Sequence, residues 1–396
     1  MMCVRTYHSQ LHSFLLLAAS FMTARANKRK LKRPGDRLDV VSPPDDPVPP
    51  RSPLQDRLGD SFTLTGGAGA EGDAHVVRAR SLELIGEIGR GRYGTVDEMR
   101  EPQTGRHMAV KRIRETADSQ DCRYLEREVL ACMDGKGCAN LVHCFGVMRL
   151  EGDVWICMEL MDSSLDRFYR TACDMQRKIP EELLGRIAHS VAAGLCFMSE
   201  RLHLMHRDVK PSNILLCRAG VVKLCDFGIS GIWESEPATK TISAGCKPYM
   251  APERIDFTHP SYSQYDGRSD VWSLGISMIE VATGSHPYDK WKNPFHQLSQ
   301  VVEQPPPQLP SDQFSLRLRS FVDTCLSKYD QRPNCHGLRH TELMQWVATW
   351  EGGKDQRICE RILDFVRLVL DEQDANAEAL LTGSLKMSDQ LMPTDR

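Results

Sequence analysis

The sequence lacks the features that mark a secreted, metal-clustered or strongly charged protein. Its 14 cysteines include no Cys-x-x-Cys pair, so neither a metal site nor a disulfide framework is indicated. Unpaired thiols in this number are typical of a reducing compartment. The formal net charge is only −3 over 396 residues, so no global field attracts nucleic acid or an anionic membrane. We therefore expect a cytoplasmic protein without a nucleic-acid partner.

A long apolar run is also missing. Residues 11–22, LHSFLLLAASFM, are too few to span a bilayer. With the following Ala24-Arg25-Ala26 they resemble a secretory signal. The alternative is that the run only mimics a signal, or that translation begins at Met22. The unpaired cysteines favour this alternative, because an oxidising lumen would suit them badly. We expect no membrane span.

Residues 23–80 show little hydrophobic periodicity. A basic run is followed by SPPDDPVPPRSP and then by GGAGAEGD. Such a composition cannot bury enough apolar surface to offset the entropy of ordering. We predict a flexible arm over residues 1–80.

After the arm the pattern is first strand-rich and then helical. The segments LELIGEIG, GTVDEMRE, HMAVKRIR, VHCFGVMRL and DVWICMEL predict five short strands. Leu125, Val129 and Met133 recur at the spacing of one helix. The fold class is therefore predicted to be α+β, with a strand-rich lobe at 82–158 that carries one helix and a helical lobe at 162–348.

An amphipathic segment follows the helical lobe. Within a tail over residues 349–396, the stretch 357–370 has the periodicity of a helix. Its apolar face consists of Ile358, Ile362, Phe365, Val366 and Val369.

Three glycines lie between the first two predicted strands in the pattern G-x-G-x-x-G-x-V. A loop without side chains lets backbone N–H groups approach phosphates closely. The pattern alone is weak, because many turns contain three glycines. The predicted nucleotide-covering segment consists of Ile88, Gly89, Arg90, Gly91, Arg92, Tyr93, Gly94, Thr95 and Val96.

Lys111 follows Ala109 and Val110 on the third predicted strand. This apolar strand argues against an ordinary surface lysine and favours a cation that holds phosphate oxygens. Glu128 on the predicted helix is the expected ion-pair partner. Glu126 is the competitor, but it lies off the same helical face.

The stretch HRDVKPSN contains a carboxylate, a cation and an amide within a span of six residues. A phosphoryl acceptor needs a carboxylate near its hydroxyl, a cation on the transferring phosphate and a metal ligand nearby. Asp208, Lys210 and Asn213 supply these three groups. Asp226, in Asp-Phe-Gly, adds a second metal-binding carboxylate, and Ala-Pro-Glu follows at 251–253. This order of blocks predicts phosphoryl transfer with ATP and Mg²⁺.

These blocks, with EGDVWICMELMDSSLDRFY, KLCDFGISG and AGCKPYMAPERI, resemble the dual-specificity MAP kinase kinase family over residues 82–348. The members that activate stress-activated MAP kinases look closest. The resemblance implies a two-lobed protein kinase fold and phosphorylation of a threonine and a tyrosine in the Thr-x-Tyr loop of a stress-activated MAP kinase. It also implies that Met158 is the gatekeeper and that Glu159 to Met161 form the hinge behind adenine. The c-Jun N-terminal kinase branch and a catalytically silent scaffold remain as alternatives.

Hydroxyl groups between Asp-Phe-Gly and Ala-Pro-Glu predict a phosphorylated activation segment. Phosphate can order such a loop by pairing with arginine, and Arg207 is the expected partner. The resemblance implies Thr241 as one site and a serine four residues earlier as the other. That position is Pro237, so the segment is one residue longer than in the family. Ser235 is the best candidate for the first site, and Thr239 is the alternative.

Two segments outside the catalytic blocks resemble docking sites of the family. The stretch KRKLKRPGDRLDV, within about residues 28–40, resembles the motif that grips the MAP kinase substrate; a solvated charge run or a nuclear localisation signal is the alternative. ILDFVRLVL in the tail resembles the site where upstream MAP kinase kinase kinases dock, although a helix packed on the helical lobe would show the same periodicity. The predicted substrate-docking residues are Lys28, Arg29, Lys30, Lys32, Arg33, Leu38 and Val40.

Overall fold

The computed structural model describes residues 58–64, 75–91, 94–114, 125, 128–129, 131–227, 231–232, 247–256, 258–262, 265–288 and 294–389. Over these ranges a strand-rich lobe precedes a helical lobe, which confirms the α+β prediction. In the same ranges, no helix combines the length and the apolar character that crossing a membrane requires.

The first lobe is built on an antiparallel sheet of five strands, preceded by a two-stranded hairpin. The five predicted strands all form, and the sheet order follows the chain except at its last two strands. In the centre of the sheet, Lys111 lies opposite Val96 on one side and Ile156 on the other. The strands are β1 (Ser61–Leu64), β2 (His75–Arg78), β3 (Glu83–Arg90), β4 (Gly94–Arg100), β5 (His107–Arg114), β6 (Cys144–Leu150) and β7 (Asp153–Glu159), with the sheet order β3-β4-β5-β7-β6.

The hairpin β1–β2 corrects the prediction of a flexible arm over residues 1–80, which is wrong at the C-terminal end of that range. Leu64 and Val77 are buried in an apolar cluster on the face of the sheet that the hairpin covers. Phe62 packs so closely on β6 that a Cβ at Gly146 would lie 2.3 Å from its ring. Strands of only four residues carry too little periodicity to be recognised in the sequence. Their stability comes from packing on the sheet beneath them.

The predicted helix of the first lobe is described at residues 125, 128–129 and 131–134. Leu125 and Val129 are buried and pack with the other face of the sheet. Met133 was predicted on the same face, but it is 47% exposed. The helix therefore directs its middle turn, which carries Glu128, towards the sheet.

Short strands of the second lobe hold the loops that precede and follow the Asp-Phe-Gly block. These strands are β8 (Ser163–Ser164), β9 (Leu204–Met205), β10 (Ile214–Leu216), β11 (Val222–Leu224) and β12 (Gly231–Ile232). The antiparallel pair β10–β11 begins directly after Asn213 and ends directly before Cys225.

Helices form the body of the second lobe, with the second and fourth helices at its centre. Both are buried along most of their length, so their apolar residues are not confined to one stripe. The helices are α1 (Leu165–Asp174), α2 (Glu181–Phe197), α3 (Pro252–Ile255), α4 (Arg268–Thr283), α5 (Pro294–Glu303), α6 (Leu316–Cys325), α7 (Cys335–Leu338), α8 (Glu342–Trp350) and α9 (Gln356–Asp389).

The tail helix α9 is longer than the predicted stretch 357–370. It continues because DEQDANAEALL after Leu370 contains good helix formers and neither proline nor glycine. Its predicted apolar face packs on the helical lobe: Ile362, Val366 and Val369 are buried, and the ring of Phe365 meets that of Phe168 edge-on at 6.2 Å. The packing alternative is thus observed, and upstream docking stays a prediction.

Candidate active site

The glycine-rich hairpin between β3 and β4 closes with a hydrogen bond from the Gly91 N–H to the Gly94 carbonyl at 2.9 Å. At Gly94 the glycine is required by packing, because a Cβ would lie 1.8 Å from the carbonyl oxygen of Arg112. At Gly91 the nearest such contact within the described residues is the Gly94 carbonyl oxygen, at 4.0 Å. Packing of the described residues therefore does not require glycine at position 91, whereas a phosphate-covering loop would use it for close backbone approach.

Lys111 joins the two lobes. Its Nζ donates to Glu128 Oε1 at 3.0 Å and to Asp226 Oδ1 at 2.9 Å. Glu128 is buried, with 1% of its side chain exposed, whereas 35% of the Asp226 side chain is exposed. The predicted partner Glu128 is thus in place, and one cation links the sheet, the helix and the Asp-Phe-Gly block.

Asp226 is a charged carboxylate in this environment. Burial acts to raise its pKa, but the charge and hydrogen bond of Lys111 outweigh burial, and the pKa is lowered from its ordinary value. Its backbone is left-handed, with φ 67°, an uncommon conformation for a residue other than glycine. The next residue, Phe227, is buried and meets the ring of His206 edge-on at 5.8 Å. The ionised oxygens of Asp226 are hard ligands of the kind that Mg²⁺ prefers.

Asp208, Lys210 and Asn213 lie in direct contact. Lys210 Nζ donates to Asp208 Oδ2 at 2.6 Å. Asn213 Nδ2 donates to the same oxygen at 3.0 Å and to the Asp208 carbonyl at 2.9 Å. Because both bonds use the amide nitrogen, the amide oxygen is the Asn213 atom suited to a metal ion. The three predicted groups therefore form one cluster around a single carboxylate.

Asp270 holds the backbone of this catalytic loop. Its two carboxylate oxygens accept from the backbone N–H of His206 at 2.8 Å and of Arg207 at 2.7 Å. Arg207 has φ 68°, so its left-handed backbone is secured by a charged acceptor. Arg254, which follows Ala-Pro-Glu, donates to the Arg207 carbonyl at 3.1 Å. Local spacing in the sequence does not predict this role of Asp270, because its contacts are long-range.

The predicted hinge continues from the end of β7. Met158 is partly buried and packs against the main core, opposite Ala109. Glu159 accepts from the His143 backbone N–H at 2.6 Å and pairs with Lys223 at 2.5 Å. Lys223 lies on β11, shortly before Asp226, so this ion pair connects the hinge to the strand that leads to Asp-Phe-Gly. No local motif marks Lys223, and sequence reasoning missed it.

Met161, the last residue of the predicted hinge, is partly exposed, and Ile88, at 50% exposure, lies on β3. Gly89, Arg90, Thr95 and Val96 belong to the hairpin strands. Several predicted positions fall outside the described residues: Arg92, Tyr93, Glu126, Ser235, Thr239, Thr241, and the docking residues Lys28, Arg29, Lys30, Lys32, Arg33, Leu38 and Val40.

Comparisons with known proteins agree with this geometry. Residues 82–344 match the Pkinase family, described as "Protein kinase domain". The chain is 45% identical over 347 residues to the dual specificity mitogen-activated protein kinase kinase sek-1 of Caenorhabditis elegans, covering 87% of this chain and 99% of that protein. It is 39% identical over 306 residues to dual specificity mitogen-activated protein kinase kinase 7 of Mus musculus and of Rattus norvegicus. Those matches cover 75% of this chain, and 56% of the mouse and 72% of the rat protein.

Proposed function

The chain belongs to the protein kinase family and, within it, to the dual-specificity mitogen-activated protein kinase kinases, and we propose that it phosphorylates the threonine and the tyrosine of the Thr-x-Tyr loop of a stress-activated MAP kinase. The observation that supports an active kinase is the contact of Lys111 Nζ with both Glu128 and Asp226, and the substrate class is proposed from the relatives. A protein kinase needs its strand lysine, its helix glutamate and its Asp-Phe-Gly aspartate together. A catalytically silent scaffold has no such requirement.

The residues of the site fit ATP and Mg²⁺. Asp226 and Asn213 would hold the metal, since both offer oxygen donors and the N–H of Cys225, the residue before Asp226, donates to the Asn213 carbonyl at 2.9 Å. Bound there, Mg²⁺ offsets negative charge on the transferring phosphoryl group. The hairpin from Gly89 to Gly94 would cover the phosphates, and Met158 to Met161 would line the adenine side.

The protein's own groups then position the hydroxyl of the substrate and move its proton. Asp208 would accept the proton of the incoming threonine or tyrosine hydroxyl. Lys210, whose Nζ donates to Asp208 at 2.6 Å, would bind the transferred phosphate. Lys111, held by the buried Glu128, would hold the remaining phosphates in place. Positioning and electrostatics suffice, and no covalent intermediate is required.

Regulation and partners follow from the same proposal. An upstream MAP kinase kinase kinase would phosphorylate Thr241 and Ser235, with Thr239 as the alternative to Ser235, and Arg207 would receive the phosphate. The basic run near residues 28–40 would dock the MAP kinase. A cytoplasmic location is proposed because the cysteines of the described residues are free thiols. The nucleus is proposed as a second location, because the basic run could also act as a nuclear localisation signal.

The test is a phosphosite map on defined substrates. The variant Ser235→Glu/Thr241→Glu, and in parallel Thr239→Glu/Thr241→Glu, is incubated with ATP, Mg²⁺ and a panel of kinase-dead MAP kinases, and sites are identified by mass spectrometry. Phosphate on both the threonine and the tyrosine of one loop is expected, and the substrate that carries it identifies the branch. The same variants with Lys111→Met should give none. Threonine phosphate alone, or equal incorporation with Lys111→Met, contradicts the proposal.

A further inference from the structure

Three side chains that commonly bind metals meet in the helical lobe, on elements that do not carry the nucleotide site. Cys196 lies in the last turn of α2, and Cys335 and His336 begin α7. One potential ligand atom from each residue lies within 4.8 Å of the other two. Both cysteines are buried free thiols, and His336 is partly exposed. The sequence contains no motif for this cluster, because its members come from distant segments.

The donor atoms and their spacing suit a cation of the zinc class. Ligand bonds of about 2.0–2.3 Å in a tetrahedral zinc site separate the donor atoms by about 3.3–3.8 Å. Because the donor atoms lie within 4.8 Å of one another, each separation would have to shorten by at most about 1–1.5 Å for all three donors to bind one ion. Two thiolates and an imidazole select zinc over magnesium or calcium, which prefer oxygen.

Glu200 supplies the support that metal-binding histidines usually have. Its Oε1 lies 2.9 Å from His336 Nε2. A carboxylate on one ring nitrogen orients the imidazole and leaves the other nitrogen, Nδ1, for a metal ion. Other charged groups also lie near the thiols: Arg339 acts on Cys196 and Asp270 acts on Cys335. Nothing in the kinase chemistry described above uses this arrangement.

We propose that Cys196, Cys335 and His336 bind one zinc-class divalent cation, with a water molecule in the fourth position. Binding displaces the two thiol protons to solvent, so two thiolates balance the charge of the ion. The site would join the end of α2, which leads into the catalytic loop, to the segment just after Arg332. Arg332 is paired with Glu253 of Ala-Pro-Glu at 2.7 Å, so the metal would tie together two segments that frame the active site.

The test measures metal on the full-length chain. Protein expressed with added Zn²⁺ and purified without chelator is analysed for metal by inductively coupled plasma mass spectrometry, and the stripped protein is titrated with Co²⁺. One zinc per chain is expected, with the intense visible absorption of tetrahedral cobalt and a thiolate-to-cobalt charge-transfer band. Cys335→Ala and His336→Asn should lose both signals. Cys325→Ala, a buried cysteine of the same lobe that is not in the cluster, should keep them.

Two further measurements do not depend on the cysteine variants folding. Removal of zinc by a chelator should lower the melting temperature of the unmodified protein, and zinc should restore it. Glu200→Gln should weaken zinc binding by about 10- to 100-fold. Purified protein without zinc and without a cobalt spectrum would overturn the proposal. A Cys196–Cys335 disulfide in metal-free, freshly prepared protein would also overturn it, in favour of a redox pair.

Discussion

The ion pair between Arg332 and Glu253 should be one of the costliest in the protein to break. Each side chain is 1% exposed, and two guanidinium nitrogens meet the carboxylate at 2.7 and 3.3 Å. The same guanidinium donates to the Ser327 and Arg268 carbonyls, each at 3.1 Å. Arg332→Met would therefore leave a buried carboxylate and two carbonyls with fewer donors.

The magnitude follows from this burial. Removing one partner of a buried pair costs about 3–5 kcal/mol, because the other charge stays desolvated. For a domain of this size, each kcal/mol lowers the melting temperature by about 2–4 °C. We expect Arg332→Met to melt about 6–20 °C lower. The exposed pair Arg100–Glu83 has a similar distance of 2.6 Å, with 48% and 47% of the side chains exposed. Its loss in Arg100→Met should cost at most about 1 kcal/mol.

Differential scanning calorimetry of these variants, together with Arg332→Met/Glu253→Met, decides the argument. The double variant removes both charges and should recover most of the lost stability, because apolar replacement of a buried pair is often neutral. Two outcomes refute the reasoning: an Arg332→Met shift no larger than that of Arg100→Met, or a double variant no more stable than Arg332→Met.

Two further predictions use matched controls and thermal unfolding. Gly94→Ala should lose about 1–3 kcal/mol, because the new Cβ would overlap a backbone carbonyl at 1.8 Å. Gly91→Ala, with 4.0 Å to its nearest contact, should melt like the unmodified protein, and equal shifts for both would contradict the packing argument. In the tail helix, Val366→Ala at a fully buried site should cost roughly 2 kcal/mol. Leu368→Ala, at 43% exposure, should cost much less, and equal costs would mean that the helix does not pack as described.

The catalytic cluster could be predicted because its parts are close in sequence. Asp208, Lys210 and Asn213 span six residues, so any fold that orders this loop brings them together. Two glutamates could pair with Lys111, and helical periodicity is sufficient to prefer Glu128 to Glu126. These predictions depend on local spacing, which a single sequence records directly.

Other features depend on contacts that local spacing does not record. The hairpin β1–β2 is stabilised by the sheet below it, so its strands look like loop. The pairing of Lys223 with Glu159, and the meeting of Cys196 with Cys335, join residues far apart in the chain. The packing of the tail helix was an open alternative, because docking and packing require the same apolar face.

The left-handed backbones of Arg207 and Asp226 have a consequence for how the site is lost. Each costs roughly 1–2 kcal/mol for a residue with a side chain, so surrounding contacts must hold both conformations. Lys111 therefore contributes to the shape of the chain at Asp226 as well as to its charge. Without the Lys111 contact, the left-handed conformation of Asp226 would lose part of its stabilisation. Its backbone could then relax to a conformation with negative φ. Contacts that hold a charged group in this site therefore also bear on the backbone conformation of the residue that carries it.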